Sequence, residues 1–203
     1  MKIAPQQENV DLIFIMDRSG SMYGSEEDTI GGFNSFVQRE RSKELNTRVT
    51  TVLFNDNYEV LYKRKPIHEV DELTDREYRV GGCTALLDAI GMTVTSLDKE
   101  IDNKVLCIIM TDGLENASRE FSKEQISNLI KNHNWEFIYM GADIDSYTEA
   151  GNIGIRRSRV ANYKKSRDGF EEVYNSVSDA TDCLRRDISL DDAKWSKRLR
   201  KYD

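Results

Sequence analysis

The sequence lacks long apolar runs, and it has only 2 prolines and 3 cysteines. No run approaches the roughly 18 apolar residues of a membrane-spanning helix, so we expect no membrane association. The cysteines Cys83, Cys107 and Cys183 form no C-x-x-C pair, which argues against a zinc or redox site and favours reduced thiols. Residues 1–9 are polar and show no basic region followed by an apolar stretch, so we expect a cytoplasmic protein.

The remaining composition is typical of a soluble globular protein. Of the 203 residues, 38% are hydrophobic and 32% are charged, which is enough apolar material for one domain with a core. The net charge of −7 disfavours a nucleic-acid binder. We predict a polar N-terminal segment over 1–9, one domain over 10–185, and a basic C-terminal tail over 186–203 that is open to a helical conformation.

Short apolar runs alternate with helical patterns along the chain. Strands are predicted over the following ranges: 10–16, 48–54, 58–65, 105–110 and 135–140. The turn cluster Asn55-Asp56-Asn57 joins two of these strands in a hairpin, whose second strand would lie at a sheet edge. Apolar stripes between the strands, and the Ser122/Gln125 capping box, indicate helices. The order predicts an α/β fold: a doubly wound, mostly parallel sheet with one antiparallel edge strand and helices on both faces.

Three loops of this predicted sheet carry oxygen side chains. The segment D-R-S-G-S, from Asp17 to Ser21, follows the first strand, and T-D-G, with Asp112 at its centre, follows a later one. In open α/β sheets, ligands bind at the carboxyl ends of the strands. Two aspartates that approach each other there repel unless a cation lies between them. Ser19, Ser21 and Thr84, which follows Gly81-Gly82, would add hydroxyls, a donor set that suits Mg²⁺ or Mn²⁺ better than Zn²⁺.

These residues resemble the metal-ion-dependent adhesion site of the von Willebrand factor A domain family. The family pattern is D-x-S-x-S, then a threonine, then an aspartate, and the matching positions are Asp17, Ser19, Ser21, Thr84 and Asp112. The resemblance extends from about Val10 to Gly141 and, more weakly, to Leu184. It implies a Rossmann-like domain over 10–185, similar to stand-alone bacterial or phage members. It also implies that the first four residues coordinate or closely approach the metal, and that Asp112 acts through water.

The resemblance implies a protein-interaction module without catalytic activity. An acidic side chain from a protein partner would displace water from the ion, which would be Mg²⁺, with Mn²⁺ or Ca²⁺ as alternatives. One alternative function is a Mg²⁺-dependent phosphohydrolase, although the site loops contain no lysine and the chain has no G-x-x-x-x-G-K-[ST] loop. Another is an adaptor that docks on a separate ATPase. The sequence leaves the partner, the choice of metal and the oligomeric state open.

Other polar residues of the sequence are compatible with ordinary surface roles. Asp88, one turn after Thr84, could accept a hydrogen bond beside the metal or lie on the outer face of its helix. Glu115 and Asn116 are expected in a solvated loop. The basic stretches 156–167 and 194–201 are read as solvated surface, with partner docking or nucleic-acid binding as the minority interpretation.

Overall fold

The structure is a computed structural model that describes residues 9–192 and 194–203. Its strands are β1 (Val10–Asp17), β2 (Thr47–Phe54), β3 (Tyr58–Pro66), β4 (Lys104–Thr111), β5 (Glu136–Ala142) and β6 (Val160–Tyr163). Its helices are α1 (Glu26–Ser42), α2 (Leu86–Leu97), α3 (Lys123–Asn132), α4 (Ser146–Asn152) and α5 (Arg167–Arg185). Except for Asn9, the predicted polar segment 1–9 lies outside the described residues.

All six strands belong to one sheet with the order β3-β2-β1-β4-β5-β6. The pairs β1·β2, β1·β4, β4·β5 and β5·β6 are parallel, and β2·β3 is antiparallel, so β3 forms the antiparallel edge. The chain leaves β1 toward β2 and later returns on its other side as β4. The sheet therefore has a topological switch point between β1 and β4, where α/β proteins bind ligands. This architecture confirms the predicted fold class.

The helices cover both faces of the sheet, which explains why its inner strands are nearly continuous apolar runs. Leu12 and Phe14 of β1 pack with α1 and α5 on one face. Ile13 and Ile15, which alternate with them, pack with α2, α3 and α4 on the other face. Because successive side chains of a strand point to opposite faces, β1 must be apolar at both sets of positions.

The capping box predicted at Ser122 is confirmed. The Ser122 side chain accepts from the Gln125 backbone N–H, and the Gln125 side chain accepts from the Ser122 backbone N–H, which makes a complete capping box.

The sequence analysis missed strand β6, because it has only four residues and lies between basic residues. It extends the sheet to six strands and carries the chain to the turn that precedes α5.

The segment after α5 packs onto the domain. Leu190, Trp195 and Leu199 are at most 1% exposed and belong to the same core cluster as α1 and α5. A short 3₁₀ turn spans Leu199–Tyr202. The described part of the segment predicted as a basic tail, 186–203, thus adds apolar side chains to the core while its charged residues stay at the surface.

Two further expectations can be compared with the structure. The three cysteines are free thiols, of which Cys107 is buried and Cys83 is exposed. Within the described ranges, no helix has the length and apolarity that crossing a membrane requires.

Candidate metal centre

Three loops meet at the carboxyl ends of β1 and β4. The first loop follows β1, the second (81–84) precedes α2, and the third follows β4. Two backbone hydrogen bonds join the first loop to the second: Gly20 N–H donates to Gly82 O at 3.0 Å, and Gly81 N–H donates to Arg18 O at 2.9 Å. These bonds fix the two loops relative to each other because both partners are backbone groups.

The predicted side chains of the first and third loops form a continuous chain of hydrogen bonds. The Ser19 backbone N–H donates to Asp17 Oδ1 at 2.6 Å, and the hydroxyls of Ser19 and Ser21 are 3.1 Å apart. The Ser21 hydroxyl donates to Asp112 Oδ1 at 2.5 Å. Asp17, Ser19 and Asp112 are buried, whereas Ser21 is exposed. The structure therefore brings together four of the five predicted residues, with one side of the cluster open to solvent.

Thr84 completes the group from the second loop. A Cβ placed on Gly113 would lie 2.6 Å from Thr84 Oγ1 and 3.2 Å from Ser21 Oγ. The two hydroxyls therefore face the same glycine, and the space between them exists because residue 113 has no side chain. The hydroxyl oxygens that border this space are donors of the type that a small hard cation takes.

The environment of Asp17 disfavours its charged form. Burial raises the pKa of Asp17 above its ordinary value, and the neighbouring Asp112 charge raises it further. Hydrogen bonds oppose this shift: the Thr111 hydroxyl donates to Asp17 Oδ2 at 2.5 Å, and Ser19 donates as described above. The Tyr78 hydroxyl donates to the Asp17 backbone carbonyl and fixes the end of β1. A cation beside both carboxylates would offset their repulsion.

Lys165 is the site residue that sequence reasoning missed. Its Nζ lies 2.8 Å from Asp112 Oδ2, 3.2 Å from the Ser21 carbonyl oxygen and 3.2 Å from Asp143 Oδ2. Burial lowers the pKa of Lys165, but its hydrogen bonds to the two aspartates and their charges raise it, and the net direction is upward. The interpretation of 156–167 as solvated surface is therefore wrong at this position.

The residues after Asp112 support Thr84 and its helix. Asn116 Oδ1 accepts from the Thr84 backbone N–H at 2.9 Å, and the Asn116 backbone N–H donates to Thr84 O at 3.1 Å. Glu115 accepts from the Leu87 backbone N–H at 2.9 Å. Asp88 accepts from the backbone N–H groups of residues 119–121, so it anchors the loop that follows β4. These roles depend on partners about thirty positions away, which sequence spacing alone does not indicate.

The donor set consists of two carboxylates and three hydroxyls. In the described part of the chain, no three or more His, Cys, Asp or Glu side chains form a group suited to a metal. The candidate centre thus depends on its neutral hydroxyls. Such a set carries few negative charges, which suits Mg²⁺, Mn²⁺ or Ca²⁺ and leaves positive charge on the ion.

The model of the von Willebrand factor type A domain family matches residues 11–176. Among curated proteins, none matches the chain. Solved structures with the same fold come from animals and bacteria, and all those described below share less than 25% sequence identity with the chain. They support the fold alone.

Proximal thread matrix protein 1 from the mussel byssus aligns at 18% identity with a TM-score of 0.63. This alignment covers 88% of the chain and 46% of the byssus protein, so the chain spans about half the length of that relative. The von Willebrand factor domain of the type V pili tip protein Mfa5 from Porphyromonas gingivalis aligns at 11% identity with a TM-score of 0.64, covering 85% of the chain and 96% of that domain. The pilus adhesin SpaC from Lactobacillus rhamnosus GG aligns at 15% identity with a TM-score of 0.70. This alignment covers 87% of the chain and 30% of the adhesin.

Proposed function

Since the chain belongs to the von Willebrand factor type A domain family, we propose that it is a divalent-metal-dependent module that binds an acidic side chain of a protein partner. The observation that carries this proposal is the meeting of five oxygen-bearing side chains from three loops at the switch point of the sheet. Agreement of three separate loops is far more specific than one D-x-S-x-S segment.

The five residues share one proposed role, and they differ in exposure. Asp17, Ser19, Ser21, Thr84 and Asp112 would hold a divalent ion, with Mg²⁺ as the first choice. When bound, such an ion supplies a Lewis-acidic position at which a partner's carboxylate oxygen replaces water. The exposed Ser21 marks the side from which a partner has access, because the other predicted donors are buried.

The rim of the centre is suited to protein contact. Tyr23 is 82% exposed and Leu114 is 55% exposed, the two most exposed large apolar side chains of the described residues. Each lies two positions beyond a site residue, Ser21 or Asp112, and those two residues are hydrogen-bonded to each other. Aromatic and aliphatic side chains beside a charged centre are typical of interaction surfaces. The names of the Mfa5 tip protein and the SpaC adhesin are consistent with such a role in those proteins.

Partner capture from a lysate of the source organism tests the proposal. We expect capture with Mg²⁺ present, and loss of capture with EDTA or in Asp17→Ala. The exposed carboxylate variant Asp75→Ala serves as a matched control, because Asp75 lies outside the site. Tyr23→Ala should weaken capture while leaving Mg²⁺ binding intact. If neither EDTA nor Asp17→Ala reduces capture of the partner, the proposal is contradicted.

One observation favours a second candidate, a Mg²⁺-dependent phosphohydrolase. Lys165 places a positive charge 2.8 Å from Asp112, and a lysine beside a Mg²⁺ site is a known arrangement for binding phosphate. We propose that the chain is not an enzyme, since no side chain at the centre is evidently activated as a nucleophile. Turnover of phosphate esters or nucleotides with Mg²⁺, abolished by Asp17→Ala, would overturn that choice.

A further inference from the structure

Lys165 occupies one side of the candidate centre. It comes from the turn between β6 and α5, not from the three loops that carry the predicted donors. Its ammonium group contacts Asp112 Oδ2 at 2.8 Å and the Ser21 carbonyl oxygen at 3.2 Å. Both contacts are to residues of the candidate metal set. A third contact, to Asp143 at 3.2 Å, is the only one of the three outside that set.

The Asp112 side chain needs a positive partner. Its carboxylate is fully buried in the ion pair, whereas the Lys165 side chain keeps 24% of its surface exposed. A buried carboxylate without a cation is strongly unfavourable, and Lys165 supplies that cation within hydrogen-bond distance. Lys165 also pairs with Asp143, whose side chain is 63% exposed, so its ammonium group has a second carboxylate partner when it leaves Asp112.

A divalent ion and the lysine ammonium would compete for the same carboxylate. Two positive charges within a few ångströms of each other repel in a partly buried site. Resting on the function proposed above, we propose that Lys165 is a resident competitor of the divalent cation. It neutralises Asp112 in the metal-free protein and lowers the metal affinity, and metal binding releases it toward the partner-facing surface.

The test is calorimetric titration with MgCl₂ of the wild type, Lys165→Met and Lys164→Met. Lys164 is the matched control because it is the adjacent lysine, is exposed and carries the same charge. Lys165→Met should lower the Kd for Mg²⁺ by about tenfold or more, since one positive charge leaves the site. Lys164→Met should stay close to the wild type, and Lys165→Arg, which keeps the charge, should not bind more tightly.

Thermal melting gives a second readout that requires no metal. In EDTA, Lys165→Met should melt at a lower temperature than Lys164→Met, because the buried Asp112 carboxylate keeps its hydrogen bond from Ser21 but loses its positively charged partner. Saturating Mg²⁺ should reduce that difference.

Each outcome decides between the alternatives. If the wild type binds Mg²⁺ and Lys165→Met binds it no more tightly, the competitor role is wrong while the metal centre stands. The same conclusion follows if both methionine variants tighten binding equally, because net charge would then explain the effect. Binding by both proteins, with a Kd for Mg²⁺ at least about tenfold lower in Lys165→Met, supports the proposal. Binding by Lys165→Met but not by the wild type contradicts the metal-dependent function proposed for the wild type. If neither folded protein binds Mg²⁺, the proposed function fails together with this inference.

Discussion

Gly113→Ala should damage the proposed metal centre by displacing a donor oxygen rather than by removing one. The added Cβ would lie 2.6 Å from Thr84 Oγ1 and 3.2 Å from Ser21 Oγ, and the first distance is too short for real contacts of this kind. Ser21 is exposed and can give way, but Thr84 is buried and its backbone is held by Asn116. The Thr84 hydroxyl must therefore turn away from the site or push the third loop outward.

Either response costs stability and metal affinity. Overpacking a well-filled site costs about 1–3 kcal/mol, and we expect a decrease of this size in the free energy of unfolding. Displacement of one donor oxygen should weaken Mg²⁺ binding by about tenfold or more, which corresponds to roughly 1.4 kcal/mol.

Urea denaturation and calorimetric Mg²⁺ titration measure the two effects. Gly151→Ala is the matched control, because a Cβ there meets nothing within 4 Å, and alanine in helix α4 should be neutral or stabilising. If Gly113→Ala binds Mg²⁺ as tightly as the wild type, Thr84 and Ser21 do not form the centre in the way described.

Three further predictions concern the scaffold, and each is measured by urea denaturation. Ser122→Ala removes the capping box of α3 and should cost about 1 kcal/mol, while Ser122→Thr should retain most of the stability. Trp195→Ala should cost about 3–5 kcal/mol because this side chain is 1% exposed, and an effect below 1 kcal/mol would contradict its place in the core. Asp11→Ala removes the partner of Arg64 and Asn103 and should cost roughly 1–3 kcal/mol, with a smaller loss in Asp11→Asn.

The elements that the sequence predicted well are those with local signals. Strands β1, β2, β4 and β5 are apolar enough to stand out, and the turn at Asn55-Asp56-Asn57 marks the hairpin to β3. Strand β6 is different, because a run of four residues has too little periodicity to distinguish it from a loop. Its place in the sheet depends on pairing with β5, which is a tertiary interaction.

The site residues also divide into those that local sequence signals predicted and those that depend on tertiary interactions. Asp17 is the last residue of β1 and Asp112 directly follows β4, so parallel pairing of the two strands accounts for their meeting. Lys165 could not be predicted, because Lys164 beside it has the same chemistry and points to solvent. Only the turn between β6 and α5 distinguishes the two. Trp195 in the basic segment is a similar case, since its burial depends on α5 and on the Ser158 carbonyl oxygen, which accepts from its indole N–H at 3.3 Å.

The most direct test of the account is a calorimetric titration of Mg²⁺ into the wild type and Asp17→Asn. Asparagine keeps the shape of Asp17 and one carbonyl oxygen but removes the buried charge, so the fold should persist, as circular dichroism would show. The account predicts a single Mg²⁺ site in the wild type and a large loss of affinity in the variant. Folded wild-type protein that binds no Mg²⁺ at millimolar concentration, or equal binding by both proteins, would contradict it.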